Sequence, residues 1–156
     1  MSHESFLEDL RIENKEPAII FTATIGLRIE CVLVDVMHTA DLGLTAHVVG
    51  NVFFEVISKR HFGPNLEEST AALFVDMKDW FKKNPASSRF QGRLTVDPIR
   101  ARGEWPKIKA KAATTRALVG YCVELCNRFG TESLHDRRRS ALVSQLARFY
   151  QILESP

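Results

Sequence analysis

The sequence lacks the cysteine and histidine patterns that would fix a small disulfide-bonded or zinc-bound fold. Its three cysteines, Cys31, Cys122 and Cys126, are an odd number, and no second Cys or His pair stands at zinc-finger spacing. Cys122 and Cys126 are four residues apart within an apolar helical pattern, so we expect buried free thiols in a reducing compartment. The sequence therefore predicts neither a disulfide framework nor a structural zinc site.

Long hydrophobic runs and familiar catalytic strings are also missing. No apolar run approaches the roughly 20 residues that a membrane span needs. The N-terminal stretch MSHESFLEDLRIENKEP is acidic and has no basic region or apolar core of the kind found in secretory signals. We therefore expect an intracellular protein, nuclear or cytoplasmic, with no membrane partner.

The sequence contains no Gly-rich phosphate loop, G-x-S-x-G elbow or H-E-x-x-H motif.

What is present predicts one mainly helical (α+β) domain over residues 1–156. The composition, 45% hydrophobic and 26% charged, is that of a soluble globular domain. Residues 18–36 predict a small N-terminal β-hairpin or sheet. Hydrophobic periodicity predicts about four to five helices, which are a short one near residues 6–12, one from Thr39 to Arg60, one from Leu66 to Phe81, one that starts near Pro106 and ends before Gly130, and one after Thr131.

Several finer features are predicted within this outline. Asn65 and Glu68 have the spacing of a helix cap. Gly50 weakens its helix, which indicates close packing or a bend there. A short strand is expected at Arg93–Val96. The last helix is expected to bury Leu134, Leu142, Leu146, Phe149 and Leu153.

An Asp and a His stand close together in LVDVMHTADLG, residues 33–43. Asp35 ends an apolar run, where an unpaired carboxylate would be costly to bury. His38, Asp41 and Thr45 then share one side of the helical pattern. Two interpretations are open. In the first, Asp35 and His38 form a structural hydrogen bond with each other beside a helix cap. In the second, they form a catalytic or metal-binding pair, with Asp41 as a further ligand and Mg²⁺ or Mn²⁺ as the ion.

This string, with HVVGN after it, resembles the D-x-M-H-x-x-x-L-G string of eukaryotic cut-and-paste transposases, particularly the CACTA class. Many of these superfamilies carry a C/D-x-x-H signature after the second catalytic Asp of an RNase H-like core. Asp35 and His38 would be that pair here. PKIKAKAATTRALV, residues 106–119, is similar to a string in transposon-related reading frames. The resemblance implies a transposon-derived chain, with a fragment of a larger RNase H-like core plus a helical insertion as one form of it.

Intact catalysis is not expected from this resemblance. Such a core needs two further Asp residues upstream of the signature, and the only upstream Asp is Asp9, in an acidic amphipathic segment. Two-metal chemistry needs several carboxylates converging on ions about 4 Å apart. We therefore expect a catalytically incomplete domain, and a metal-dependent nuclease is the less favoured alternative.

Residues 89–116 form the only stretch in which charges of one sign strongly predominate, with eight basic residues against two acidic ones. Phe90 and Trp105 lie among them. In the predicted nucleic-acid-binding surface the basic groups follow a phosphate backbone and Trp105 stacks on a base. The set is Arg100, Arg102, Trp105, Lys107, Lys109, Lys111 and Arg116, with Lys107, Lys111 and Arg116 on one helical face.

DNA is thus the expected partner of a transposon-derived, nucleic-acid-associated domain. The alternative is a helical protein-interaction or structural module without catalysis. In that case the basic stretch is ordinary solvated surface, and Asp35 and His38 form a structural hydrogen bond. The sequence leaves the oligomeric state open.

Overall fold

The computed structural model describes residues 37–86, 88–100 and 103–154, together with Glu8. Apart from Glu8, the described residues belong to one compact unit, which extends over residues 36–156. This described part is mainly helical and contains no strand, which confirms the mainly α prediction. The hairpin predicted at residues 18–36 and the short helix near residues 6–12 lie outside the described residues, and the single domain stays a prediction.

Five α-helices follow a π-helical segment. The segment, Met37–Thr45, continues directly into the first α-helix. The helices are α1 at Ala46–Ser58, α2 at Leu66–Lys83, α3 at Val96–Ile99, α4 at Ala112–Phe129 and α5 at Leu134–Glu154. α4 packs against α1, α5 and the π-helical segment. A wide π turn is rare in proteins, and here it supplies two polar side chains to a buried network described below.

α1 is the central helix of the core. Val49, Phe53 and Ile57 are fully buried, against Leu118 and Leu125 of α4 among others. The stretch His38–Ser58 is long and apolar enough, by length and composition, to cross a membrane, and 56% of its apolar window is buried inside the structure. The core helix of a globular protein meets the same criterion, so this feature is weak support for a membrane span.

α2 begins as predicted from the sequence. The Asn65 side chain accepts a hydrogen bond from the backbone N–H of Glu68 at 2.9 Å, and its Nδ2 donates to Glu68 Oε1 at 2.7 Å. Lys82 and Lys83 occupy the last turn, where positive charge complements the helix dipole. The capping prediction is confirmed.

The start of α4 differs from the prediction. The helix begins at Ala112, and Pro106 lies in the preceding irregular segment. Three consecutive amides of that segment donate to other elements: Lys107 N to Ile99 O at 2.9 Å, Ile108 N to Ala46 O at 2.9 Å and Lys109 N to Pro98 O at 2.8 Å. Successive amides of a helix all point along one axis, whereas these alternate between the α3 region and α1. Tertiary hydrogen bonds therefore hold this segment in a non-helical course.

Two further predictions are wrong. The strand expected at Arg93–Val96 is absent, because Val96 begins α3. The inward face predicted for α5 is wrong in part, since Leu142 and Phe149 are 46% and 40% exposed and Leu134 and Leu153 are exposed as well. Leu146 is buried as predicted, and the other residues that α5 buries are Asp136, Val143 and Tyr150. Asp136 and Tyr150 are held by hydrogen bonds at either end, and this fixes the rotation of the helix.

Candidate nucleic-acid interface

Three lysines project from the segment that precedes α4. Lys107, Lys109 and Lys111 are exposed, whereas Ile108 is buried and Ala110 is half-buried, so burial alternates as along a strand. The lysines are therefore on one side of the segment. Consecutive members of the set are at most about 7 Å apart along the chain. This arrangement, which we call the lysine row, makes a short line of positive charge.

The lysine row is held against α1 by an unusually close backbone approach. A Cβ atom built on Gly50 would lie 2.6 Å from Lys107 N and 2.8 Å from Ile108 N. Only glycine permits such an approach, and the prediction of close packing at Gly50 is confirmed. Nδ1 of His47 lies 3.2 Å from the carbonyl oxygen of Pro106, at the start of the same segment. The segment is therefore fixed by backbone contacts, and its lysine side chains are left at the surface.

A wide groove of about 830 Å³ opens beside the lysine row. We call it the basic groove. Three cations, Arg89, Lys109 and Lys111, line it, and no acidic side chain does so among the residues that the structure describes. The rest of its lining is apolar or uncharged: Leu42, Ser88, Phe90, Gln91, Ala110, Ala112 and Thr114.

The basic groove also meets the first turn of α4. Within the described residues no side chain caps this helix at Lys111. The first N–H groups and the positive end of the helix dipole therefore add to the charge of the lysines. Nearby, the hydroxyls of Ser88 and Thr114 are hydrogen-bonded to each other at 2.7 Å. The combined potential favours an anion.

Arg100 and Trp105 from the predicted set lie in the chain just before the lysine row. The Arg100 guanidinium packs over the Phe54 ring at 4.5 Å, and its Nε donates to the Glu104 carbonyl at 2.9 Å. Trp105 is 84% exposed, the most exposed large apolar side chain described. An indole in this position is available for stacking. Arg102 lies outside the described residues.

Arg116 is directed toward the protein rather than toward solvent. Its Nη2 donates to Asp41 Oδ2 at 2.8 Å, and its guanidinium lies over the Tyr150 ring at 5.2 Å. Tyr150 donates to Asp41 Oδ1 at 2.5 Å and accepts from the Thr45 hydroxyl at 2.7 Å. Burial and the hydrogen bond to Asp41 raise the pKa of Tyr150 to about 12. This network ties the π-helical segment to α4 and α5.

The described residues show no geometry that supports Asp35, His38 and Asp41 as metal ligands. Asp35 lies outside them, so its pairing with His38 stays a prediction. His38 is exposed, and Asp41 is 1% exposed and bound to Arg116. Within the part of the chain that the structure describes, no group of three or more His, Cys, Asp or Glu residues could hold a metal ion.

The two described cysteines are free thiols, as predicted. Cys122 is buried and Cys126 is partly buried. Burial raises the pKa of both thiols above the usual range. Neither is therefore suited to act as a nucleophile, and Cys31 lies outside the described residues.

The predicted set omitted Arg89 and the groove residues around it. Arg89 belongs to the same basic stretch, but residues 90–106, which include α3, separate it from the lysine row. Only the fold brings it to the same groove. No family model, curated protein or solved structure matches this chain.

Proposed function

We propose that this chain is a transposon-derived nucleic-acid-binding domain that contacts phosphates through Arg89 and the lysine row, without catalysis of its own. The observation that carries the proposal is the basic groove, where three cations meet with no acid among its described lining residues. A phosphate backbone is the abundant cellular polymer that such a line of cations binds best. The transposase resemblance favours DNA.

Salt dependence separates this proposal from an inert basic surface. Each phosphate contact releases counterions, which adds about 0.7 to 0.9 to the slope of log affinity against log salt. We would measure fluorescence anisotropy of labelled DNA for the wild type and for Lys109→Glu with Lys111→Glu. The double variant should lose about 1.4 to 1.8 from the slope, because two contacts are removed.

The matched control reverses two charges at the opposite end of α4. Arg60 and Arg137 are exposed near the site where Lys59 and Asp136 meet, and α4, with 18 residues, is about 27 Å long. Arg60→Glu with Arg137→Glu changes the net charge by the same amount and should keep the wild-type slope. An equal loss in both double variants would show only a general charge effect. Absence of binding to any nucleic acid near physiological salt would refute the proposal.

The proposal treats Asp35 and His38 as structural or vestigial, and a nuclease test checks this. Supercoiled plasmid would be incubated with the protein and Mg²⁺ or Mn²⁺. We expect no nicking beyond that of a preparation carrying Asp35→Ala. Nicking that disappears in Asp35→Ala would instead establish a metal-dependent nuclease.

The N-terminal hairpin of residues 18–36 belongs to the same proposal. Its support is the alternation of Leu27, Ile29 and Leu33 with Arg28 and Glu30. Cross-strand nuclear Overhauser effects within residues 18–36 would establish the hairpin. Sequential nuclear Overhauser effects typical of a helix, in place of the cross-strand ones, would exclude the hairpin.

One observation favours a protein-interaction module as a second candidate. The outer face of α5 exposes a set of large apolar side chains: Leu134, Leu142, Phe149, Ile152 and Leu153. Several exposed large apolar side chains on one helix favour a protein contact. Light scattering of wild type and of Phe149→Asp would test it, since loss of self-association without loss of melting temperature would support an interface on α5.

A further inference from the structure

We propose that the basic groove receives a single strand, DNA or RNA, with one base placed against Phe90 and adjacent phosphates on Arg89, Lys109 and Lys111. This inference rests on the proposed nucleic-acid function and specifies its substrate class. It follows from the combination of a charged rim with an apolar lining, which a surface made only for a phosphate backbone does not need.

The lining divides into two chemical parts. The cations Arg89, Lys109 and Lys111 are exposed, as expected for a rim that meets phosphates. The apolar part consists of Leu42, Phe90, Ala110 and Ala112. Gln91, also in the lining, carries both a donor and an acceptor, as required to meet the edge of a base.

Phe90 is braced as a stacking platform. Its ring is half-buried and meets the Phe74 ring edge to face, with the centroids 6.2 Å apart. Phe74 is in turn 8% exposed and carries the Lys78 ammonium 4.1 Å from its centroid. A ring fixed on one side and open to a groove on the other loses little side-chain entropy when a base stacks on it.

The groove has room for a nucleotide, and its apolar lining suits an unpaired base rather than the outside of a duplex. Its volume of about 830 Å³ is in the range of sites that hold small organic ligands. A duplex keeps its bases stacked inside, so placing one against Phe90 would require unpairing and unstacking. A single strand has its bases available, and each aromatic stacking contact strengthens binding with little sequence preference.

The test compares strands and ring types. Anisotropy would be measured with labelled dT12, rU12 and a 12-base-pair duplex of equal label, for the wild type, Phe90→Leu and Phe90→Trp. We expect the single strands to bind the wild type at least about tenfold more tightly than the duplex. Phe90→Leu should weaken single-strand binding about fivefold or more, whereas Phe90→Trp should match or exceed the wild type. Duplex affinity should be the same for all three.

The Trp variant keeps the test decisive if Phe90→Leu is unstable, because a larger ring that retains single-strand affinity is not the behaviour of an unfolded chain. Preference for dT12 over rU12, or the reverse, would identify the natural strand. Equal binding of duplex and single strands, with a salt slope still lost in Lys109→Glu with Lys111→Glu, would overturn this inference and leave the proposed function standing. No binding to any of the three would refute both.

Discussion

Gly50→Ala tests whether the close approach of α1 holds the lysine row in place. In an ordinary helix interior this change stabilises by about 0.8 to 1 kcal/mol, because alanine is the better helix former. Here the new Cβ would lie 2.6 Å from Lys107 N, 2.7 Å from Lys107 Cα and 2.8 Å from Ile108 N. All three are backbone atoms, which cannot rotate away as a side chain does. The segment must move outward by several tenths of an ångström or more.

The magnitude follows from what that movement breaks. The amides of Lys107 and Ile108 donate at 2.9 Å to Ile99 and Ala46, and an amide left unsatisfied in the interior costs about 1–3 kcal/mol. With the overpacking strain added and the helix propensity subtracted, we expect a net loss of about 2–4 kcal/mol. For a chain of this size that corresponds to a melting temperature lower by about 5–15 °C.

The assay has a matched control in the same fold. A Cβ on Gly120 would meet only the Trp80 ring edge, at 3.1 Å, and that side chain can shift. Gly120→Ala is therefore expected to change stability by less than about 1 kcal/mol. Both variants would be melted by circular dichroism and titrated with urea. If the Gly50→Ala variant proved as stable as the Gly120→Ala variant, the close approach of α1 to the lysine row would be refuted.

Two predictions concern pH and the ends of α5. Because the pKa of Tyr150 is raised to about 12, it stabilises the fold fully below pH 10, and this contribution is lost as the pH rises from about 10 to 12. Urea titrations from pH 9 to 12 should show a shallower loss of stability for Tyr150→Phe, and an unchanged slope would contradict the hydrogen bond to Asp41. The hydrogen bond from Thr131 holds the pKa of Asp136 well below its usual range despite burial. Asp136→Asn should therefore cost about 2–4 kcal/mol at pH 7, and its difference from the wild type should narrow below about pH 4. A stability difference at pH 2 as large as that at pH 7 would contradict this role of the Asp136 carboxylate.

Local signals in the sequence predicted much of the helical frame. The cap at Asn65 and Glu68 involves neighbours in the chain, and so does the apolar periodicity of α1 and α2. Such features depend on nearby residues alone. The mainly helical class and the ends of α2 could therefore be predicted without the structure.

The rotation of α5 could not be predicted, because it depends on long-range polar contacts. Leucine and phenylalanine periodicity favours the face of Leu142 and Phe149. The structure instead buries Asp136, Val143 and Tyr150, which recur every seven residues on the neighbouring face. Burying Tyr150 is favourable because its hydroxyl is hydrogen-bonded to Asp41 and Thr45, more than 100 residues earlier in the chain. Asp136 is hydrogen-bonded by its neighbour Thr131, and its distant partner is Lys59 of α1.

The same limit applies to the candidate site. Arg116 and Lys111 look alike in the basic stretch, but only Arg116 has a buried carboxylate partner, Asp41, 75 residues away in the chain. The sequence therefore identifies the basic stretch, but it cannot show which of its residues face solvent and which belong to a buried network. The fold separates Arg116, which belongs to a buried network, from the lysines that face solvent.

The backbone conformation of the lysine row decides which lysines act together. Single charge reversals distinguish an extended segment from a helix. On the helix predicted from the sequence, Lys107 and Lys111 would share a face and Lys109 would point to the opposite side. In the observed segment all three are exposed on one side, and Lys109 lies between the other two. Lys107→Glu, Lys109→Glu and Lys111→Glu should therefore reduce the salt slope of nucleic-acid binding by similar amounts, about 0.7 to 0.9 each. A normal slope in Lys109→Glu alone would instead indicate helical presentation, because only a helix turns that residue away from the strand.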